Sequence, residues 1–527
     1  METHTPKGTE GRARPSPDIR PIAVIELGTS SIRMAIAQLR GRNRFEILDS
    51  LQMAVAVGKD TFTQGRIEHE TTEDCVRVLR LFRRKLEEYD IVKDSQITAV
   101  ATSAVREAAN REAFLDRILV ATGFFIRAID QSEVNRYIYQ AIRPALVSED
   151  FWKKEDILVI EVGGGSTEAL LFRRGRVSNA HLYRLGSLRL HQIITQLHAP
   201  GLRAMEIMRI QVGQTVEQIL ESIAPVKKVR LVALGGDARF ACSRLKAQWN
   251  AKGLARLSRE SLSRFTEKIL VKSTDELVRA YQITYSDAET LGPALLVYDY
   301  LAAELGLQEI LVGEANIRSG ILAEMSSGGS WTNDFKKQII HSARALGRRY
   351  AVDADHARYV AEVSGKLFRL MQSEHRLDSR DELILSVAAL LHETGVYINR
   401  SGHHKHSCYI ISNSGLFGLG SEELLLAALI ARYHRRALPQ ADHEMYGALS
   451  REMRIRVLKL AALLRVADAM DMQHAQSLDD LQFTLEPGSL VITANGAGNL
   501  DLEKHRLKEK SNLFMQVYGM EIQLQGS

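Results

Sequence analysis

Apolar and polar positions change rhythm along this chain. From about residue 21 to 322, short apolar runs alternate with amphipathic segments, the pattern of an α/β fold. From 335 to about 475 the period is helical almost throughout, and from 476 to 527 strand-like alternation returns ("LVITANG", "FMQVYGMEIQL") and predicts a small α/β cap. Within the first regime, "TTEDCVRVLRLFRRKLEEY" (71–89) predicts a helix and "ITAVATSAV" (97–105) a strand. "NREAFLDRILVATG" (110–123) predicts a helix with Asn110 as N-cap and Gly123 as its stop, followed by strand 124–129 and helix 132–142. Further on, a helix around 203–224, a strand "VRLVALGG" (229–236) and the stretch 309–322 continue the alternation. "EMSSGGSWTND" (324–334) is a Gly/Ser-rich break and reads as a linker.

Two stretches break the strand rule in the same way. "ILVIEVGGGSTEALLF" (157–172) runs Ile157-Leu158-Val159-Ile160 into Glu161, three glycines and then Ser166, Thr167 and Glu168. Glycines weaken a strand, so at its end they serve a turn or the close approach of a ligand, with N–H donors exposed to phosphate oxygens. The plain alternative is a tight hairpin with a glycine turn. "IAVIELGTSSIRMAIAQL" (22–39) repeats the device about 135 residues earlier, with Glu26, Gly28, Thr29 and Ser30 in corresponding places. A second copy favours two phosphate-reading hairpins over a chance structural repeat.

Composition narrows the class. At 527 residues the chain exceeds one hydrophobic core, so several domains are expected. The pattern divides it into a disordered lead-in 1–20, a first lobe 21–140, a second lobe 141–325, a helical domain 331–475 and a cap 476–527. Hydrophobic content of 45% and charged content of 25% are those of an ordinary globular protein. Cys75, Cys242 and Cys408 are widely spaced and suit a reduced, cytoplasmic setting. No apolar run approaches the roughly 18 residues of a membrane span, and a net charge of +5 is too small to imply nucleic acid.

The motifs "ELGTSSIR" (26–33), "TSAVREAANREAF" (102–114), "IDQSEVNRYIYQAI" (129–142), "VIEVGGGSTE" (159–168) and "GEANIRSGIL" (313–322) occur in this order. Together they resemble the exopolyphosphatase / guanosine pentaphosphate phosphohydrolase family over about 60% of the chain. "LLHETGVYIN" (390–399), "HHKHSCYII" (403–411) and "ARYHRRA" (431–437) are similar to the C-terminal part of its longer members. The resemblance implies a two-lobed actin-like, sugar-kinase-like fold, then an all-α HD-like domain and a small α/β cap. It makes Glu133 the base that orients the attacking water, and Glu168 a second catalytic acid. Glu161 and Glu168, with Glu26, would hold Mg²⁺, and the family pattern leaves room for a monovalent cation such as K⁺. Gly163, Gly164, Gly165, Ser166 and Thr167 match the phosphate loop, and Arg106 an arginine near the terminal phosphates. Thr29, Ser30 and Arg33 of the first hairpin and Gly235 and Gly236 of "LGGDAR" complete the expected phosphate-binding set.

Some residues depart from the family pattern. Glu26, Glu161 and Glu314 stand where Asp is usual, which adds about 1.5 Å of reach to each acid, and Mg²⁺ tolerates geometric error poorly. Val134 replaces a second glutamate beside the base, and "LGGDAR" stands in place of Ser-Gly-Thr. Because Glu133 and Glu168 remain, an active site with a reshaped metal shell is expected ahead of a degenerate one. In the helical region His356, His392–Glu393 and Asp468 follow the order of the metal ligands of HD phosphohydrolases, with Glu for the paired Asp, and His404, His406 and His434 lie between. A second metal site is one reading. A helical scaffold whose basic residues Lys405, His406, Arg432, Arg435 and Arg436 hold a polyanion is the other, and the resemblance favours it.

The expected activity is therefore Mg²⁺-dependent hydrolysis of the terminal phosphate of inorganic polyphosphate. Removal of the 5′-phosphate of guanosine pentaphosphate is the near rival, since both substrates end in the same phosphoanhydride. A sugar or acid kinase fits Glu133 poorly, and a non-catalytic sensor of polyphosphate or of guanosine penta- or tetraphosphate stands as the non-enzymatic reading. The long helical half offers surface for a symmetric homodimer.

Overall fold

In the computed structural model the described residues are 20–40, 44–198, 201–223, 228–327, 331–435, 437–471, 474, 481–494 and 500–526, with the side chain of Leu202 set aside. The expected disordered lead-in up to residue 19, the centre of the Gly/Ser-rich linker and Arg436 lie outside them. The chain gathers into two compact units, one running up to Ala128 and resuming at Asn316, the other comprising Ile129–Ala315 and the chain from Trp331 onward.

The first unit is built on β1 (Pro21–Leu27), β2 (Ser31–Leu39), β3 (Phe45–Ala54), β4 (Ile97–Ala101) and β5 (Ile126–Ala128). Their order is β3-β2-β1-β4-β5, antiparallel on the β3 side of β1 and parallel on the other. β1 is central and buried on both faces, which is why its sequence is a continuous apolar run rather than an alternation. β3 lies at the edge and is largely exposed. The helix His69–Glu88 lays Val76, Leu79, Phe82 and Leu86 onto this sheet's core, a stripe at helical spacing.

The second unit begins with a six-stranded sheet made of β6 (Asp156–Val162), β7 (Thr167–Arg173), β8 (Arg176–Tyr183), β9 (Val229–Leu234), β10 (Leu254–Ser258) and β11 (Glu309–Gly313). Its order is β10-β11-β9-β6-β7-β8. The run β8-β7-β6-β9-β11 repeats β3-β2-β1-β4-β5 strand for strand: an antiparallel meander, then parallel neighbours. Helices Asn333–Arg349, Ala354–Leu370, Ser379–Leu391, His403–Ser412, Ser421–Arg432 and Arg451–Ala469 form the all-α region. Four of them start on an aspartate, threonine or serine (Thr332, Asp353, Asp378, Ser450) whose side chain accepts from the first turn. A three-stranded sheet, β12 (Leu481–Glu486), β13 (Ser489–Ala494) and β14 (Glu521–Gly526), closes the chain with two short helices between β13 and β14.

Several elements stop earlier than their pattern suggested. The apolar run 97–105 is a strand only to Ala101 and turns into the helix Ser103–Glu107. The run 229–236 ends at Leu234, because Gly235 takes a φ of 106° and a helix starts at Gly236. Asn110 holds the N-cap position but spends its side chain on both backbone groups of Ile67, at 2.9 and 2.8 Å. All three cysteines are buried free thiols. Among the described residues no helix is long and apolar enough to cross a membrane.

Candidate active site

The turn between β6 and β7 is fixed from below. Gly163 N–H donates to Ser166 O at 2.8 Å, closing it tightly. Its carbonyls are taken by the start of the helix Ser187–Gln196: Ser187 N–H meets Gly163 O and Arg189 N–H meets Gly164 O, each at 2.9 Å, while Arg189 Nε–H meets Gly165 O at 2.9 Å. Among the described residues no acceptor meets the N–H groups of Gly164 and Gly165, so the turn presents donors, as an anion-binding nest does. Gly186 seats the helix on the loop so closely that a Cβ there would lie 2.3 Å from Gly164 O. Ser166 Oγ–H donates to Glu168 Oε1 at 2.6 Å. Thr167 is fully buried and donates to Leu185 O at 2.6 Å, bracing the turn. Glu161 and Glu168 stand directly opposite each other in the β6–β7 register.

A buried hydroxyl ties this hairpin to the second glycine turn. Tyr298 OH accepts from Val162 N–H at 3.0 Å and donates to Leu234 O, next to Gly235. Burial holds its phenol well above the usual range, so the bridge stays protonated.

Glu133 is the third residue of the helix Gln131–Val147 and half of a capping box. Its N–H donates to Asp130 Oδ1 at 2.9 Å, and its Oε2 accepts from Asp130 N–H at 3.2 Å. The buried Arg136 reaches Glu133 Oε1 at 3.5 Å. Asp130 Oδ2 in turn accepts from Ser421 N–H at 2.6 Å, so the start of a helix of the all-α region is clamped to this box. The motif around Glu133 was visible in the sequence; the capping role of Asp130 and the contact of Ser421 were not.

In the first unit the matching turn also closes, with Gly28 N–H on Ser31 O at 3.0 Å. Thr29 and Ser30 hold the following segment through their carbonyls, which accept from Gly58 at 2.7 Å and Val55 at 3.1 Å. Glu26 is buried and ion-paired to Arg318, with Arg33 Nη1 3.9 Å away across the strand pair. Arg33 also donates to Gln52 at 3.2 Å. Arg106 is half-buried on the helix Ser103–Glu107, and Glu314 is exposed at the end of β11. Arg318, which the sequence reading did not single out, is the nearest partner of Glu26.

The all-α region brings its helix ends together. His356 Nε2, His392 Nε2 and Asp468 Oδ1 form a buried triangle with edges of 3.4, 3.4 and 3.7 Å. His434 joins it through His392, ring centroids 5.0 Å apart, and His403 Nε2 lies 3.1 Å from His434 Nε2. Burial works against charge on His356, yet Asp468 and Asp471 outweigh it and hold it at about 9, whereas burial takes His434 well below the usual range. His404 lies outside the triangle: burial, then the charges of Arg435, His403, Lys405 and Arg432, lower it to about 4. Of the expected cationic residues, Lys405, Arg432 and Arg435 thus act on one ring; Lys405 and Arg435 are exposed, and His406 and Arg432 half-buried. His403, Asp471, His474 and Lys510 were not anticipated.

Two family models match the sequence: the Ppx/GppA phosphatase family over residues 35–327 and the Ppx/GppA phosphatase, domain III, over 340–512. Among solved structures, an exopolyphosphatase from Cytophaga hutchinsonii is 19% identical with a TM-score of 0.52 over 59% of this chain and 98% of its own. An exopolyphosphatase-like protein is 22% identical with a TM-score of 0.51 over the same shares. A Ppx/GppA family member from Aquifex aeolicus is 19% identical with a TM-score of 0.48, over 60% of this chain and all of its own. At these identities the likeness is one of fold. The fold is the expected one: actin-like sheets, an all-α HD-like region and a small α/β cap.

Proposed function

This chain belongs to the Ppx/GppA phosphatase family, and we propose that it is an exopolyphosphatase that removes the terminal phosphate of inorganic polyphosphate. The observation that carries this reading is the β6–β7 turn, whose carbonyls are bound by the helix behind it and whose Gly164 and Gly165 N–H groups meet no acceptor among the described residues, beside two opposed carboxylates. Donors fixed in this way stabilise the charge that builds on the transferred phosphoryl oxygens without reorganising during the reaction. The water oxygen bonds to the terminal phosphorus, its proton passes to Glu133, and the anhydride P–O bond breaks with its electron pair leaving on the shortened chain. Orthophosphate and a chain one unit shorter result. The Asp130 amide and Arg136 orient the Glu133 carboxylate for this transfer.

Glu161 and Glu168 would hold Mg²⁺. The two acids stand directly opposite on paired strands, so one dication can take an oxygen from each. Such an ion, when bound, neutralises phosphate oxygens. Glu26 is engaged by Arg318 and Arg33, which supports a part in orienting arginine rather than in holding metal. The joint field of Lys405, Arg432 and Arg435 favours a long polyanion over guanosine pentaphosphate. Orthophosphate release from long-chain polyphosphate and from guanosine pentaphosphate, each with and without Mg²⁺, tests the proposal. Mg²⁺-dependent release from the long chain is expected. Faster turnover of guanosine pentaphosphate would transfer the assignment to that nucleotide, and binding without release would make the protein a sensor.

A further inference from the structure

The phosphatase reading leaves four clustered histidines of the all-α region, His356, His392, His403 and His434, without a role. Each of the four has its Nδ1 fixed by an acceptor: His356 by Asp471 Oδ2 at 2.9 Å, His392 by Ala389 O at 2.7 Å, His403 by Arg400 O at 3.1 Å and His434 by Ala431 O at 2.6 Å. Carbonyl and carboxylate oxygens only accept, so in all four rings Nδ1 carries a proton, and wherever the ring is neutral its Nε2 is a lone pair. These Nε2 atoms face each other, 3.4 Å apart for His356 and His392 and 3.1 Å apart for His403 and His434. Lone pairs at that separation repel unless a cation lies between them. A ring whose outer N–H is held by a carboxylate or carbonyl is also the usual form of a metal-bound histidine.

The size of the triangle fits an ion. With edges of 3.4, 3.4 and 3.7 Å, its centre lies about 2.0 Å from each vertex, against Zn–N and Zn–O lengths of about 2.0–2.2 Å. Asp468 offers Oδ1 to the triangle, while its Oδ2 is held by Lys510 Nζ, the outer bond that a ligating carboxylate commonly has. Two imidazoles and one carboxylate suit a transition-metal dication; Mg²⁺ prefers an all-oxygen octahedron. A cavity of about 130 Å³, lined among others by Asp468, His403 and His434, gives an ion a way in.

We propose that the HD-like region of this protein binds a divalent transition-metal ion on His356 Nε2, His392 Nε2 and Asp468 Oδ1, with His403 and His434 as a further donor pair on the wall of the adjoining cavity. The rival reading puts a proton on Nε2 of His356, shared with Asp468, where the ion would sit. The full-length protein, treated with EDTA and dialysed, separates the two when titrated with Co²⁺ and followed by visible absorption. The wild type is expected to take up at least one equivalent that survives desalting and to show the intense bands of an imidazole-ligated, low-coordinate ion. A Glu161→Gln/Glu168→Gln protein should bind it equally, which keeps this result independent of the phosphatase site. His392→Gln should lose it. Should that variant fail to fold by near-UV circular dichroism, Asp471→Asn serves instead: it leaves all three ligands in place and should weaken uptake about 10–100-fold. A wild-type spectrum no different from free aqueous Co²⁺ would overturn the proposal, as would bands that persist in folded His392→Gln but vanish in the Glu161/Glu168 variant.

Discussion

Gly186→Ala tests whether the phosphate loop is held in place by the helix behind it. The backbone φ of Gly186 is −120°, which alanine adopts without strain, so the change acts through space alone. An added Cβ would meet Gly164 O and Gly165 C at 2.3 Å and Gly165 Cα at 2.4 Å, all backbone atoms that cannot rotate away. Ordinary contact begins near 3.4 Å, so loop and helix must part by about 1 Å (3.4 − 2.3). That movement stretches the bonds from Ser187 and Arg189 that hold the loop's carbonyls and so set its conformation. Overpacking of this kind costs about 1–3 kcal/mol, and displacing positioning groups by about 1 Å costs on the order of a hundredfold in rate. The variant should therefore remain folded and lose about two orders of magnitude in orthophosphate release from polyphosphate. Urea denaturation followed alongside turnover separates the two effects. Gly213→Ala is the control: it lies inside the helix Gly201–Ile223, its Cβ would meet nothing closer than 3.9 Å, and it should gain up to about 1 kcal/mol without loss of rate. A folded Gly186→Ala protein with wild-type turnover would show that the loop does not bind the reacting phosphate.

The remaining expectations concern single groups. Glu133→Gln keeps a side-chain oxygen for the Asp130 amide and so the capping box, but should reduce turnover at least about a hundredfold in a single-turnover assay; a normal rate would leave Glu133 a helix cap only. Glu168→Ala deprives the Ser166 hydroxyl of its acceptor and the hairpin of half its carboxylate pair, and should raise the Mg²⁺ needed for half-maximal activity or abolish activity; a Mg²⁺ titration that overlays the wild type would make the acid structural. Replacing Lys405 and Arg435 together by alanine should flatten the dependence of log affinity for long polyphosphate on log salt by about 1.4, roughly 0.7 for each lost contact. An unchanged slope would return them to the solvated surface.

The two hairpins were legible because β1 and β6 are central strands, buried on both faces, and such strands write themselves as unbroken apolar runs ending at a turn. What holds the second hairpin in place was not legible. Gly186, Arg189 and Tyr298 come later in the chain, and each acts on the loop through a tertiary contact with no local period. The histidine cluster was half legible. His356, His392 and Asp468 could be ordered from spacing, but within the basic stretch 403–406 nothing local sets His403 apart from His404 and His406. Successive residues of a helix point about 100° apart, so among these neighbours only the direction of His403 meets His434, and that direction depends on how the helix His403–Ser412 lies on Ser421–Arg432.

One register position explains why two copies of one device need not do one job. In the first hairpin Glu26 is paired across the strands with Arg33; in the second Glu161 is paired with Glu168. Opposite charges at directly facing positions attract, and like charges repel by a similar few tenths to about 1 kcal/mol. Glu26 is thus neutralised inside its own unit, by Arg33 and more closely by Arg318. In the second pair two carboxylates share one face of the sheet beside the phosphate loop. A polyphosphate end brings further negative charge to the same place, and a cation arriving with it would offset that charge. Metal dependence is therefore expected to follow the second hairpin: Glu168→Arg, which gives it the charge pattern of the first, should weaken the response to Mg²⁺, while Glu26→Gln should leave the Mg²⁺ titration midpoint where it is.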